Sequence, residues 1–155
     1  MDVSQEARNW HSGRRAISND SLHRDLMAPI AERRLNILVV DDEPYIGRII
    51  QLKLEATPYD VAFCQDGTTA LEHLRTSNPV DLILLDIMMP NMSGFEVLAQ
   101  LREIPHRSAT PVIMLTGKGQ STDREQAESL GAQDFLTKPF SPKKLLARID
   151  QIFTD

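Results

Sequence analysis

Cysteine is almost absent from this sequence of 155 residues. Cys64 is the single cysteine, so the chain cannot form an internal disulfide, and a zinc site built on several thiolates is excluded. The residues around Cys64 are largely apolar, which predicts a small buried side chain within a strand. The sequence therefore offers neither a disulfide framework nor thiolate metal chemistry.

Long apolar runs and surplus positive charge are missing as well. No stretch reaches the roughly 18 apolar residues of a membrane-spanning helix, and the N-terminus lacks an apolar segment of signal-peptide length. The formal net charge is −5, whereas general binding to nucleic acid phosphates or anionic lipid needs clustered Lys and Arg. We therefore expect a cytoplasmic protein that binds neither membranes nor nucleic acid directly.

Two unequal parts are visible along the chain. Residues 1–34 are polar, with six Arg against five acidic residues, which leaves a charge of −6 for residues 35–155. Leu22, Leu26 and Ile30 recur at four-residue spacing, which suits a short amphipathic helix. We expect residues 1–34 to be a mostly flexible extension with that possible helix, and residues 35–155 to be one globular domain.

The larger part alternates short apolar runs with amphipathic stretches. The runs predict strands at residues 36–40, 61–64, 81–85, 111–115 and 133–136. Helix-starting residues occur between and after these runs, at Pro44, Asp66 or Thr68, Ser93, Ser121 or Thr122, and Ser141 with Pro142. The resulting βαβαβαβαβα order predicts an α/β fold with a doubly wound, parallel five-stranded sheet. In such folds ligands bind beyond the carboxyl ends of the strands.

Polar side chains follow four of the predicted strands at that carboxyl edge. They are Asp41, Asp42, Asp86, Thr116 and Lys138. Two ionised carboxylates about 4 Å apart repel each other by up to ~4 kcal/mol at an effective dielectric of 20, so such a cluster requires a cation. A small number of oxygen ligands suits Mg²⁺, which commonly bridges carboxylates to a phosphoryl group. The amine of Lys138 and the hydroxyl of Thr116 would contact the oxygens of that phosphoryl group.

Four motifs carry a resemblance to a known family. In chain order they are LVVDDEP, DLILLDIMMPNMSG, PVIMLTG and GAQDFLTKPF. Together they closely resemble the receiver domain of bacterial two-component response regulators, from about Leu35 to Phe153. The resemblance implies a flavodoxin-like, CheY-like fold of five βα units with strand order 2-1-3-4-5.

The resemblance also implies the chemistry of the acidic cluster. Asp86 would be the phosphoacceptor. Asp42 would bind Mg²⁺ directly, Asp41 would bind it largely through water, and the backbone carbonyl of Met88 would complete the protein ligands together with Asp86. The phosphoryl group would come from a phosphohistidine of a histidine kinase or phosphotransfer protein. The chain would then be a signalling domain and not an enzyme with a turnover substrate.

Further residues would transmit the signal. By resemblance, Thr116 takes the switching hydroxyl role, Lys138 pairs with the phosphoryl group, and Phe135 is the aromatic rotamer switch. The Lys138–Pro139 peptide bond is expected to be cis. The surface formed by residues 121–153 would dock an output protein or a second copy of the chain as a homodimer.

Three further expectations concern the lifetime of the phosphorylated state, the domain context and the histidines. Met88 is apolar and Lys118 is long and basic, so neither suits the orientation of a hydrolytic water, and we expect slow self-dephosphorylation. Because only Thr154 and Asp155 follow Phe153, we expect a stand-alone receiver. The four histidines, His11, His23, His73 and His106, lack metal-ligand spacing and are expected to be solvated.

Two alternative functions stay open. Phosphatases of the haloacid dehalogenase type also use an Asp at a strand end with Mg²⁺, but their DxDxT pattern follows the first strand, whereas Asp86 follows the third. The other alternative is a receiver-like interaction module that works without phosphorylation. The presence of all five polar strand-end residues argues against that module.

Overall fold

The computed structural model of the chain describes residues 34–117 and 121–154. The elements are β1 (Leu35–Val40), α1 (Pro44–Leu54), β2 (Tyr59–Cys64), α2 (Gly67–Arg75), β3 (Leu82–Asp86), α3 (Gly94–Leu101), a short 3₁₀ turn (Pro105–Arg107), β4 (Val112–Thr116), α4 (Ser121–Ser129), β5 (Asp134–Thr137) and α5 (Pro142–Thr154). The five strands form one parallel sheet in the order β2-β1-β3-β4-β5.

The sheet is covered by helices on both faces. On one face, α1 and α5 bury Ile46, Ile50, Leu145 and Ile149 against the strands. On the other face, α2, α3 and α4 cover a second apolar cluster. Every residue of β3 and β4 is buried, because apolar side chains on both faces of these central strands meet a helix layer.

Local sequence signals set the helix boundaries. The side chain of Asp66 accepts a hydrogen bond from the backbone N–H of Thr69 at the start of α2. Ser93 and Glu96 form a reciprocal capping box at the start of α3. After α4, Gly131 adopts a φ of +85°, a conformation that glycine reaches without the steric cost of a side chain.

The predicted fold is confirmed, including the element order and the strand order. The strand bounds differ from the predicted ones by one or two residues. Part of the difference arises because Asp86 and Thr116 still belong to the ladder, where they pair with Leu115 and Thr137. Cys64 is buried in β2, as predicted.

One side-chain prediction was wrong. His73 is 2% exposed rather than solvated. It lies on the sheet-facing side of α2, where Ala70 and Leu74 are also buried, so the helix carries it into the protein together with its apolar neighbours. His106 is exposed, as expected, and one of its ring nitrogens lies 2.8 Å from the backbone oxygen of Thr76.

The predictions for residues 1–33, including the possible helix at Leu22, Leu26 and Ile30, lie outside the described residues, as does the prediction for Lys118. Among the helices that the structure describes, none combines the length and the apolar character needed to cross a membrane.

Candidate functional site

The polar strand-end residues lie together at the carboxyl edge of the sheet. Asp41 directly follows β1, while Asp86 and Thr116 are the last residues of β3 and β4. Lys138 directly follows β5. Because these four strands are consecutive neighbours in the sheet, their carboxyl ends form one continuous edge.

Three carboxylates form an acidic cluster at this edge. Asp41, Asp42 and Asp86 each place an oxygen within 4.8 Å of the others. Asp41 is 0% exposed and Asp86 is 2% exposed, whereas Asp42 is partly exposed. The cluster is therefore open to solvent mainly beside Asp42, and its two inner carboxylates have little water to stabilise their charge.

Lys138 supplies the positive charge that faces these carboxylates. Its Nζ donates a hydrogen bond to Asp41 Oδ2 at 2.6 Å and lies 3.5 Å from Asp86 Oδ1. Its backbone N–H donates to the carbonyl of Thr116 at 2.6 Å, which ties the end of β5 to the end of β4. The Lys138–Pro139 peptide bond is cis, as the resemblance implied.

Backbone donors hold the two inner carboxylates. The N–H of Glu43 donates to Asp41 Oδ1 at 2.9 Å. The N–H of Met88 lies 3.4 Å from Asp86 Oδ1, a long hydrogen bond, and the Met88 side chain projects into solvent. The role of the Met88 carbonyl in metal binding stays a prediction.

The ionisation of the cluster is strongly perturbed. Burial, reinforced by the neighbouring charge of Asp41, raises the pKa of Asp86 from 3.8 to about 7, although Lys138 opposes the shift. Burial also raises the pKa of Asp41, against the hydrogen bond from Lys138. For Lys138, burial acts to lower the pKa, but the hydrogen bond and charge of Asp41 outweigh it, so the net pKa is raised. The site therefore has an excess of buried negative charge.

This excess fits a divalent cation. The donor set consists of hard carboxylate oxygens on one open edge, the type of ligand that Mg²⁺ takes in small number while it keeps several waters. Asp41, Asp42 and Asp86 could hold such an ion. In the part of the chain that the structure describes, no other three acidic, histidine or cysteine side chains bring their ligand atoms within 4.8 Å of one another.

A close backbone approach beneath Asp86, at Gly94, was not anticipated from the sequence. A Cβ atom on Gly94 would collide with the backbone oxygen of Asp86 and would lie 2.9 Å from the Cα atom of Ile87. The N–H of Gly94 also donates to the carbonyl of Ile87 at 2.9 Å. Glycine at this position thus lets the start of α3 pack directly against the backbone of the phosphoacceptor candidate and the residue after it.

The two switch candidates are both buried. Thr116 is fully enclosed at the end of β4, and Phe135 is 4% exposed on β5. The ring of Phe135 belongs to the apolar cluster beneath α2, α3 and α4. The structure thus places this ring inward.

Sequence reasoning missed an apolar surface beside the site. Tyr45, Ile49 and Leu52 are exposed on α1, and their spacing places them on one face of that helix. Next to this face is an open groove of about 370 Å³, whose lining includes Ile49 and Lys138. Apolar side chains at helical spacing are visible in the sequence, but the sequence alone did not show which face of α1 is buried and which is exposed.

Comparison with known proteins identifies the family. Residues 37–150 match the family described as response regulator receiver domain. Among solved structures, chemotaxis protein CheY4 of Vibrio cholerae aligns with a TM-score of 0.72 and 30% identity, covering 76% of this chain and 98% of that chain. A structure described as a BeF3-activated DrrB receiver domain aligns with a TM-score of 0.70 and 30% identity, covering 78% and 98%.

Curated relatives give the same family. The alkaline phosphatase synthesis transcriptional regulatory protein PhoP of Bacillus subtilis is 45% identical over 116 residues, which cover 75% of this chain and 47% of the relative. The transcriptional regulatory protein ResD of the same organism is 43% identical over 113 residues, covering 73% and 45%. The chain spans about half the length of these relatives, so they give no support to a stand-alone receiver. Given the family match, the shared fold and the strand-end motifs, this chain belongs to the response regulator receiver domain family.

Proposed function

We propose that Asp86 accepts a phosphoryl group from the phosphohistidine of a histidine kinase or phosphotransfer protein. The observation that carries this proposal is the position of Asp86: a buried carboxylate at a strand end, within a three-carboxylate cluster and 3.5 Å from the amine of Lys138. A nucleophile in this setting needs positioning and charge neutralisation more than a general base.

The reaction joins one Asp86 oxygen to phosphorus while the bond between phosphorus and the imidazole nitrogen breaks. The bonding electrons go to the leaving imidazole, which takes up a proton as it departs. Lys138 lies between Asp41 and Asp86, so its charge can balance the oxygens of the transferring group. Mg²⁺ held by Asp41, Asp42, Asp86 and the Met88 carbonyl would supply further charge neutralisation when bound.

The acyl phosphate would alter the surface formed by residues 121–153. It adds negative charge and acceptor oxygens at the end of β3, next to the end of β4, where the Thr116 hydroxyl would donate to them. Phe135 lies on the neighbouring strand β5, so a shift of Thr116 can change the packing of the Phe135 ring through β4. Through this surface we propose that the domain controls an output protein or forms a homodimer.

Purified protein incubated with acetyl phosphate and Mg²⁺ should gain the mass of one phosphoryl group. Asp86→Asn should abolish this gain, and EDTA should prevent it, because both remove a part of the acceptor site. After removal of the donor, the modification should decay slowly, because the apolar Met88 side chain cannot orient a hydrolytic water. Intact-protein mass spectrometry over time measures both the gain and the decay.

Two results would contradict this account. If wild-type protein gains no mass in the presence of Mg²⁺, the interaction module that works without phosphorylation is favoured. If the mass is gained but lost rapidly without a phosphatase, the acceptor role stands and the predicted lifetime is wrong.

We propose that the exposed face of α1 formed by Tyr45, Ile49 and Leu52 docks the phosphodonor. Leu52→Arg should therefore reduce phosphoryl transfer from a histidine kinase by roughly tenfold. A leucine side chain that becomes buried on docking contributes about 1–2 kcal/mol to binding. Transfer from acetyl phosphate should be unchanged. Rates of transfer from both donors, followed by mass or by radiolabel, provide the measurement.

Gln51→Arg provides the matched control, because Gln51 is exposed on α1 away from the apolar face. It adds the same charge and should leave both rates near the wild-type values. Equal loss of kinase transfer in the two variants would show that charge, and not the apolar face, affects docking.

A further inference from the structure

Phe135 lacks a polar group that could fix its orientation, yet its ring lies inward under a cation. The Cζ atom of Arg124, on α4, stands over the ring at 4.9 Å from its centroid. This distance is within the range of an attractive cation–π contact. A tyrosine in this position would carry a hydroxyl for hydrogen bonding, whereas phenylalanine offers only the face and edge of its ring.

Arg124 has few competing contacts. Its side chain is exposed, and within residues 34–117 and 121–154 it forms no ion pair with a carboxylate. Ala127 is the one buried residue among the nine that form α4. The contact of Arg124 with Phe135 therefore adds a link between this helix and the sheet beside the packing of Ala127.

The ring connects α4 to the strand that ends in Thr116. Phe135 pairs with Met114 on β4, and both side chains belong to the same apolar cluster. Side chains two residues apart in a strand point to the same face, so Thr116 lies on that face as well. A change in the position of the Phe135 ring can therefore alter the side-chain packing at the end of β4.

The other side of β5 is fixed independently. Arg148 on α5 donates to Asp134 Oδ2, and Asp134 Oδ1 accepts from the backbone N–H of Phe135 at 2.8 Å. With the backbone of β5 held in this way, the contact with Arg124 bears on the rotamer of the ring and not on the path of the strand.

We propose that Arg124 is a positioning residue that holds the Phe135 ring inward through its cation–π contact, which couples the exposed surface of α4 to the phosphoacceptor edge. This inference rests on the proposed function for its consequence, but the ring orientation itself can be measured without phosphorylation. An anionic group that draws Arg124 away from the ring would favour the outward rotamer.

The test uses the full chain with 4-fluorophenylalanine at position 135, observed by fluorine NMR. Arg124→Gln removes the cation and keeps most of the side-chain length, so the ratio of outward to inward ring should rise roughly two- to fivefold. Arg124→Lys keeps a cation and should restore most of the inward population. Arg75→Gln, at an exposed arginine of α2, should leave the spectrum unchanged.

Trifluoroberyllate with Mg²⁺ separates this inference from the proposed function. If both hold, the titration should drive the ring of the Arg124→Gln variant back towards the inward signal. If wild-type protein ignores the titrant, the proposed function fails, while the ratio measured before titration still decides the role of Arg124. A Gln variant with a wild-type spectrum, or a Lys variant that loses as much inward signal as the Gln variant, would overturn the inference.

Discussion

Replacing Lys138 with methionine should lower the free energy of unfolding by about 3 kcal/mol in Mg²⁺-free buffer at pH 8. The substitution keeps the apolar stem but removes the amine that lies 2.6 Å from Asp41 and 3.5 Å from Asp86. Both carboxylates then remain buried without a cation, which costs more than an ordinary surface change. Urea denaturation in EDTA measures the loss.

Added Mg²⁺ should restore part of this stability, because an ion bound to the folded state alone stabilises it by mass action. Lys143→Met is the matched control: Lys143 is exposed on α5, and its replacement should change the free energy of unfolding by less than about 0.5 kcal/mol. Equal losses in the two variants would mean that the contacts of Lys138 with the cluster are not what stabilises the fold.

Replacing Asp86 with asparagine should act in the opposite direction. At pH 8 without Mg²⁺, the variant should be more stable than the wild type by roughly 1–3 kcal/mol, because it removes one of two repelling buried charges. The same change should abolish phosphoryl acceptance. Stability gained together with activity lost is a signature of a strained functional site.

The pH dependence has a definite sign. Burial raises the pKa of Asp86 to about 7 in the folded protein, from an ordinary value of 3.8. Between these values the folded state binds more protons than the unfolded state, so the contribution of Asp86 makes stability fall as the pH rises from about 4 to about 7. Asp86→Asn should remove this component of the slope.

Glu103→Gln serves as the control for this series, because Glu103 is an exposed carboxylate outside the cluster. It should leave both the stability at pH 8 and the slope near the wild-type values. If Asp86→Asn instead destabilises the metal-free protein, the repulsion within the acidic cluster has been overstated.

The fold and the membership of the acidic cluster could be predicted because they depend on local pattern and topology. The continuous apolar runs of β3 and β4 indicate strands covered on both faces. In the structure every residue of these two strands is buried. Once the strands are parallel neighbours, Asp41, Asp86 and Lys138 must lie at one edge, whatever the details of packing.

Features that depend on the rotation of a helix or on a close approach could not be predicted. The burial of His73 follows from which face of α2 meets the sheet. The need for glycine at position 94 follows from a close approach to the backbone of Asp86, which no sequence periodicity encodes.

The contacts of long polar side chains could not be predicted from the sequence either. The guanidinium of Arg107 is buried, where it donates to the carbonyls of Leu74, Thr76 and Asn78. Arginine is usually exposed, and its acceptors here come from a distant turn of the chain, so neither composition nor spacing could indicate this contact.

The most direct test of the central claim is to locate the acyl phosphate. Protein treated with acetyl phosphate and Mg²⁺ would be reduced with borohydride, which converts an aspartyl phosphate into a stable alcohol, and then mapped by peptide mass spectrometry. The account predicts that position 86 alone is reduced and that Asp86→Asn yields no reduced peptide. Reduction at Asp41 or Asp42 in the wild-type protein, or at no position, would contradict it.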